Sequence, residues 1–187
     1  PPPDRPLDAL GVIAEMLRGF IVGPFFVADL AQIEARVLAW LAGQMDLLAL
    51  FENNGDPYCD MASKIYGVTV TKEEKEKRFM GKQARLGCGY GLGAKQFVRM
   101  LDEIYDVAIE EDFAKRVVNA YRAASPNIVK FWSTLERAMI FAISNGSKRI
   151  VVPCSDPLYM GTFTHAGERF AYIEMPSGRR LYYARPE

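Results

Sequence analysis

The sequence predicts an α+β fold that is rich in helices and carries a small antiparallel sheet. Three observations support this prediction. Apolar residues recur at helical spacing through much of the first 145 residues, whereas short β-prone runs set apart by Pro and Gly follow residue 146. Of the 187 residues, 50% are hydrophobic, so the chain can bury a substantial core.

The helices are predicted from apolar periodicity and from the residues that begin and end each segment. Residues 1–6 are rich in proline and are expected to be extended or disordered. Helices are expected at residues 7–19, 32–42, 45–53, 57–66, 93–104, 109–123 and 126–144. A further helix is expected to start at a capping box of Thr71 and Glu74 and to run until four closely spaced glycines interrupt it. The aromatic residues expected in the core are Trp40, Phe131, Trp132 and Phe141.

The strands are predicted from short runs of β-branched and aromatic residues. Three runs are expected to form the small antiparallel sheet: residues 149–152, 170–173 and 181–183. Residues 25–29 are expected to form a separate buried strand, because 25–28 are all apolar. His165, the only histidine, is expected to be a strand or turn residue.

The first candidate functional segment contains a pair of carboxylates. Asp29 lies where the predicted strand ends, and Glu34 follows on the predicted helix. A carboxylate at a strand end is well placed to hold a hard divalent cation, since Mg²⁺ takes one or two carboxylates together with substrate phosphates. The alternative is that Asp29 only caps the helix, a role that Asp fills well.

A cationic helix face marks the second segment. Arg78, Lys82, Leu86 and Tyr90 follow one another four residues apart, so they share one face of an α-helix. Residues 77–99 contain six Lys or Arg and no Asp or Glu, although the chain has no net charge. Two cations one turn apart, followed by an aromatic ring, suit a ligand with a polyphosphate and a flat base. The alternative is a solvated basic face.

Together the two segments resemble family A DNA polymerases, the DNA polymerase I type, with a phage-like character. The first segment is similar to motif A of the family, matched here by Asp29, Gln32, Ile33, Glu34 and Arg36. The second is similar to motif B, matched here by Arg78, Lys82, Tyr90 and Gly91. The resemblance extends from about Arg18 onward.

The resemblance implies roles for the first segment. Asp29 would bind the catalytic Mg²⁺, with the backbone carbonyl of Leu30 as a further ligand. Glu34 would act as a steric gate that leaves no room for a ribose 2′-OH, so that DNA rather than RNA is made. Gln32 belongs to the same matched pattern and is counted among the substrate-binding positions.

The resemblance also implies roles for the second segment. Arg78 and Lys82 would hold the incoming deoxynucleoside triphosphate. Lys82 is also counted as catalytic, because its charge would neutralise the phosphate oxygens as the α-phosphorus is attacked. Tyr90 would lie at the nascent base pair, and Gly91 would let the chain turn away.

Two residues depart from the family pattern. Leu86 stands where many relatives have Phe or Tyr, so apolar contact with the incoming sugar is expected without stacking. Tyr58 stands where bacterial relatives often have His, and its phenol can still donate one hydrogen bond to a phosphate. A secondary binding role is expected for Tyr58, against the alternative that it packs beside Pro57 in a loop.

The resemblance divides the chain into parts of a polymerase. Residues 7–44 would be a partial palm carrying motif A, residues 45–146 helical fingers carrying motif B, and residues 147–187 a small β region at the palm edge. The reaction would be deoxynucleotide transfer to a primer 3′-OH on primer-template DNA, by a two-metal mechanism.

A second carboxylate is expected to be needed beside Asp29, because two metal ions are clamped by a pair of carboxylates. In the family it comes from a His-Asp-Glu turn called motif C, and no such triplet occurs in this sequence. The chain is therefore expected to be a fragment of a longer parent polymerase, which would supply the remainder of the site. By itself the fragment is expected to be inactive.

Other classes of protein remain open on the residues alone. A non-enzymatic module that binds single-stranded nucleic acid would also use a basic helix and an exposed aromatic ring. A dinucleotide-binding loop fits less well, because the glycines of residues 87–91 close a helix rather than open one. The three cysteines have no metal-ligand or redox spacing, and no apolar run approaches membrane-spanning length. We therefore expect a soluble protein in the reducing cytoplasm of a bacterium or a phage-infected host cell.

Overall fold

The computed structural model of the chain describes residues 13, 16–17, 19–20, 22–26, 28–146 and 149–186. The chain divides into two compact units, residues 1–31 and residues 32–187. Among the described residues, no helix combines the length and apolarity needed to cross a lipid bilayer.

The first unit contains part of the predicted first helix. The helical residues described there are Ile13, Met16, Leu17 and Gly19, and the other residues of the predicted helix, like residues 1–6, lie outside the described residues. The strand predicted at residues 25–29 is wrong where the chain is described, because residues 25, 26, 28 and 29 belong to no strand. A strand needs a hydrogen-bonded neighbour, and the described strands pair only with one another.

The second unit contains seven described helices, which confirms the helix-rich prediction. In chain order they are α1 (Ile33–Ala42), α2 (Met45–Glu52), α3 (Pro57–Tyr66), α4 (Lys75–Gly89), α5 (Ala94–Tyr105), α6 (Glu111–Ala124) and α7 (Pro126–Asn145). Proline occupies the first turn of α3 and of α7, where its missing N–H costs nothing. Glycines in the left-handed conformation end α1, α3 and α7.

The start of α4 differs from the prediction. The Glu74 carboxylate accepts the backbone N–H of Thr71 at 3.0 Å, which is one half of a capping box. Glu74 itself has a non-helical backbone and is the N-cap, so the helix begins at Lys75. The hydrogen bond therefore closes a turn ahead of the helix. At the other end α4 continues through Gly87 to Gly89, two residues past the first predicted interruption.

Four described antiparallel strands follow the helices and form one sheet in the order β1-β2-β3-β4, which confirms the prediction of a small antiparallel sheet. The strands are β1 (Ile150–Val152), β2 (Leu158–His165), β3 (Glu168–Glu174) and β4 (Arg180–Ala184). The sequence did not predict β2. His165 is its last residue and pairs with Glu168 across a two-residue turn of Ala166 and Gly167, both with positive φ. Such a turn matches the twist of a hairpin.

Three hydrophobic clusters are found among the described residues of the second unit. One lies among helices α3 to α6 and includes Phe97, Leu101 and Tyr121. Another joins α1 and α7 to the sheet, and a third joins α1, α2 and the start of α7. The prediction of aromatic residues in the core is confirmed for two of the four: Phe131 is buried, and Trp132 packs against two clusters. It is wrong for Trp40 and Phe141, which are 42% and 55% exposed.

Helices α3 and α4 approach each other closely at Gly81. A Cβ atom at this position would lie 2.1 Å from the backbone oxygen of Tyr58 and 2.8 Å from the backbone nitrogen of Ala62. Only glycine permits so close an approach of one backbone to another. The contact fixes α4 at Gly81 against the N-terminal half of α3.

Candidate functional site

Helix α4 carries four of the predicted site residues along one side. Lys82 is exposed, Arg78 and Leu86 are half-buried, and Tyr90, the C-cap of the helix, is 73% exposed. The next residue, Gly91, has a φ of 81° and ends the helical turn. This conformation suits glycine, because it has no Cβ to clash. The structure thus brings the cationic, apolar and aromatic positions onto one side of the helix.

Arg78 is held by residues of α3. Its Nε donates to Oδ2 of Asp56 at 2.9 Å, and its guanidinium lies 5.2 Å from the centre of the Tyr58 ring. Tyr58 therefore contacts a predicted phosphate-binding cation. The hydrogen bond to Asp56 raises the pKa of Arg78 above its usual range.

Asp56 is a site residue that the sequence analysis did not find. It is the N-cap of α3, where its side chain accepts the backbone N–H groups of Tyr58 and Cys59. Burial alone would raise the pKa of Asp56, but the hydrogen bonds from Cys59, Arg78 and Tyr58 together lower it. The signal available in the sequence was the Asp-Pro pair that opens the helix.

Lys82 lies one turn beyond Arg78 and has a different environment. In the part of the chain that the structure describes, it makes no ion pair, whereas Lys64, Lys77 and Lys115 each pair with a carboxylate. Its ammonium group is exposed and so can accept an anionic ligand without first leaving a partner.

Glu34 lies in the first turn of α1 and is close to the end of α4. Its interaction with the Tyr90 hydroxyl, chiefly a hydrogen bond, raises the pKa of that tyrosine. The Tyr58 pKa is also raised, mainly by burial and in part by the negative charges of Asp56 and Glu34. Glu34 is therefore in the same neighbourhood as the two tyrosines that the sequence analysis assigned to the site.

A cavity of about 300 Å³ separates α1 from the end of α4. Most of its wall is apolar, and Glu34, Arg85 and Tyr90 are the polar members. The full lining is Glu34, Ala35, Val37, Leu38, Leu41, Arg85, Leu86, Gly89 and Tyr90. An apolar pocket with a few convergent polar groups is typical of a small-molecule site.

Arg85 is a second residue that the sequence analysis did not single out. Its side chain is 3% exposed, its Nη2 donates to Oδ2 of Asp60 at 2.9 Å, and its guanidinium lies 5.8 Å from the centre of the Tyr121 ring. Its Nε has no hydrogen-bond partner among the described residues. Burial lowers the pKa of Arg85, although the charge of Asp60 opposes this shift.

Asp29 and Leu30 belong to the first unit, where both are exposed and lie outside any helix or strand. The N-cap of α1 is Gln32, so the alternative that Asp29 caps this helix is wrong. Gln32 has a left-handed backbone, with φ 57° and ψ 28°, and its side chain makes no capping hydrogen bond. The described residues contain no group of three His, Cys, Asp or Glu that could hold a metal ion. The metal-binding role of Asp29 and Leu30 stays a prediction.

Comparisons with known proteins identify the family. Residues 14–147 match the sequence model of DNA polymerase family A. The chain is 35% identical over 165 residues to a DNA polymerase of Bacillus phage SP02, covering 87% of this chain and 24% of that protein. It is 32% identical over 120 residues to DNA polymerase I of Chloroflexus aurantiacus, covering 63% of this chain and 12% of that protein. The chain therefore spans a quarter or less of the length of these relatives, and it belongs to DNA polymerase family A.

Proposed function

We propose that this chain forms the nucleotide-binding part of a DNA polymerase that adds deoxynucleotides to a primer 3′-OH on primer-template DNA. The observation that carries the proposal is the side of α4 on which Arg78, Lys82, Leu86 and Tyr90 succeed one another. Family membership supports it, because the relatives named DNA polymerase share this segment of sequence. Such a protein works where DNA is replicated, in the cytoplasm of a bacterium or a phage-infected cell.

The triphosphate of the incoming nucleotide binds the two cations of α4. Arg78 offers a planar fork of N–H donors, and Lys82 offers an ammonium group that forms no ion pair with any described residue. Charge-assisted bonds of this kind are about twice as strong as neutral ones. As the α-phosphorus is attacked, Lys82 neutralises charge on the non-bridging oxygens, so it contributes to the reaction as well as to binding.

The sugar and base bind at the far end of the same face. Glu34 blocks the position of a ribose 2′-OH, and its place beside Leu86 and Tyr90 in the wall of the same cavity supports this role. Leu86, at the wall of the cavity, makes apolar contact with the sugar. Tyr90 contacts the nascent base pair, and Gly91 carries the chain away from it. Gln32 adjoins Glu34 and has a minor role in the same part of the site.

Two hard oxygen donors, the Asp29 carboxylate and the Leu30 carbonyl, fit Mg²⁺ as part of a larger ligand set. When bound, two such ions would stabilise the charge on the attacking and leaving oxygens. The sequence contains no His-Asp-Glu triplet that could complete this set. The remainder of the parent polymerase supplies the second carboxylate, and these 187 residues alone do not extend a primer.

Primer extension by the full-length protein tests the proposal. Glu34→Ala should raise incorporation of ribonucleotides relative to deoxynucleotides, because the obstacle to the 2′-OH is removed. A module that only binds single-stranded nucleic acid would be consistent with the exposed Tyr90 ring beside the cations. Such a module would extend no primer as wild type, and Glu34→Ala would change nothing in any nucleotide assay.

A second comparison addresses the 187 residues by themselves. They should show no Mg²⁺-dependent extension under conditions in which the full-length protein is active. Measurable incorporation by these residues alone would overturn the claim that a second carboxylate comes from elsewhere in the parent chain.

A further inference from the structure

The carboxylate of Asp56 is fixed by three hydrogen bonds to two structural elements. Its Oδ1 accepts the backbone N–H groups of Tyr58 at 2.9 Å and of Cys59 at 3.1 Å, at the N-terminus of α3. Its Oδ2 accepts Nε of Arg78, on α4, at 2.9 Å. The side chain is only 12% exposed. One oxygen thus caps a helix while the other binds the arginine.

The bond to Nε leaves the functional end of Arg78 available. A guanidinium has five N–H donors, and four of them are on the two Nη atoms. In the described part of the chain, these Nη groups make no ion pair with a second carboxylate. The Tyr58 ring, 5.2 Å from the guanidinium carbon, restricts the remaining freedom of the side chain. The arginine is held in one orientation and can still bind a phosphate.

The charge of Asp56 by itself would disfavour an anionic ligand. A carboxylate that neutralises Arg78 reduces the long-range attraction of the site for a triphosphate. Its presence can strengthen binding only by orienting the guanidinium, since an arginine side chain otherwise loses rotamer entropy when it binds. The two effects have opposite signs and can be separated by experiment.

We propose that Asp56 is a positioning residue, which turns the Nη groups of Arg78 toward the triphosphate of the incoming nucleotide. This inference rests on the proposed function, because it assumes that Arg78 binds the triphosphate. It assigns to the N-cap of α3 a role in nucleotide binding besides its role in starting the helix.

The test is steady-state primer extension by the full-length protein carrying Asp56→Asn. Asn is as good an N-cap as Asp, so α3 keeps its cap, but the charged partner of Arg78 is lost. The KM for the deoxynucleotide should rise about tenfold, the loss expected for one charge-assisted hydrogen bond, with a smaller change in kcat. The inhibition constant of inorganic tripolyphosphate should rise by a similar factor, because the phosphates alone are affected.

Matched variants separate positioning from structure. Glu74→Gln breaks a partly exposed ion pair with Lys77 at the start of α4, the helix that carries Arg78, and should leave the KM unchanged. Asp56→Ser keeps a capping oxygen but is too short to reach Arg78, so it should behave as Asp56→Asn does. In an Arg78→Ala background, Asp56→Asn should have no further effect on the KM. The two single variants of Asp56, Asp56→Asn and Asp56→Ser, should melt near the wild-type temperature.

The outcomes distinguish this inference from the function beneath it. If Arg78→Ala raises the KM while Asp56→Asn leaves it unchanged or lowers it, Asp56 does not position the arginine. If Arg78→Ala itself leaves the KM and the tripolyphosphate inhibition unchanged, the proposed triphosphate site is wrong. If Asp56→Asn raises the KM in the Arg78→Ala background as much as it does in the wild type, its effect comes from a change in α3 and does not depend on Arg78. The inference then also fails.

Discussion

Two arginines of α4 form ion pairs with two aspartates of α3, and the pairs differ in what surrounds them. Both pairs have an N–O distance of 2.9 Å, and both arginines lie over a tyrosine ring. The Arg78 side chain is 33% exposed, whereas that of Arg85 is 3% exposed. The same arginine–aspartate pair is thus found twice between α3 and α4, once with a partly exposed arginine and once with a buried one.

Burial gives the two pairs different consequences. The hydrogen bond to Asp56 raises the pKa of Arg78, whereas burial lowers the pKa of Arg85 despite its own aspartate. Arg85 also leaves its Nε without a partner among the described residues. An ion pair with one buried partner contributes little net stability, yet removing the group that satisfies the buried charge is costly. We infer that the Arg85 pair fixes α4 against α3, while the Arg78 pair prepares a cation for a ligand.

The largest expected effect comes from Gly81→Ala, because this glycine permits the helix approach on which both pairs depend. The added Cβ would lie 2.1 Å from the backbone oxygen of Tyr58, which cannot move as a side chain can. The free energy of unfolding should fall by about 3 kcal/mol or more. Urea unfolding of the variant measures this.

Gly89→Ala is the matched control on the same helix. Its Cβ would meet the nearest side-chain atom, of Leu38, at 3.5 Å, an ordinary contact. Stability should therefore be unchanged or slightly raised, since alanine favours a helix over glycine by about 1 kcal/mol. Equal losses for both glycine variants would show that helix α4 does not depend on the contact at Gly81.

Truncation of the two arginines should separate stability from binding. Arg85→Ala should lower the free energy of unfolding by about 2 kcal/mol, less than for a fully buried pair, since Asp60 keeps its bond to Lys64. Arg78→Ala should lower it by under about 1 kcal/mol, because its pair is partly exposed. In the full-length protein only Arg78→Ala should raise the KM for deoxynucleotides greatly. A reversal of this order would remove the distinction between the two pairs.

The rings beneath the arginines offer a smaller test. Tyr58→Leu removes the surface that restrains Arg78, so the KM of the full-length protein for deoxynucleotides should rise about threefold, as expected for a partly exposed cation–π contact. Tyr121→Leu, beneath Arg85, should instead reduce stability, because this ring is 1% exposed and stacks at 6.3 Å on Trp132. A KM effect of Tyr121→Leu equal to that of Tyr58→Leu would contradict the separation.

Local signals allowed much of this structure to be predicted. The prolines in the first turns of α3 and α7, Pro57 and Pro126, are local signals, and the helices that they open were predicted to within one residue. The spacing of Arg78, Lys82, Leu86 and Tyr90 likewise placed them on one side of α4, since a helical period needs no tertiary information.

The features that were missed depend on pairing between segments. Strand β2 is defined by its hydrogen-bonded pairing with β1 and β3, and the apolar run at residues 25–28 is not paired where it is described. The partners of Arg78 and Arg85 lie 22 and 25 residues away, so no local pattern joins them. The sequence thus predicted which residues share one side of α4, but not which residues hold them.

The smallest expected effect is the pH dependence of the Arg78–Asp56 pair. The pKa of Asp56 is lowered from its usual 3.8 in the folded state, chiefly because three hydrogen bonds outweigh its burial. The unfolded chain therefore takes up a proton at higher pH than the folded one, and the pair's contribution to stability is present above 3.8 and lost below it. The difference in unfolding free energy between wild type and Asp56→Asn should be constant near neutral pH and shrink between about pH 5 and pH 3. Urea unfolding across this range measures it, with Glu74→Gln as the exposed comparison. A difference that grows as the pH falls would mean that the folded carboxylate is more easily protonated than the unfolded one, which would contradict the three-bond description of Asp56.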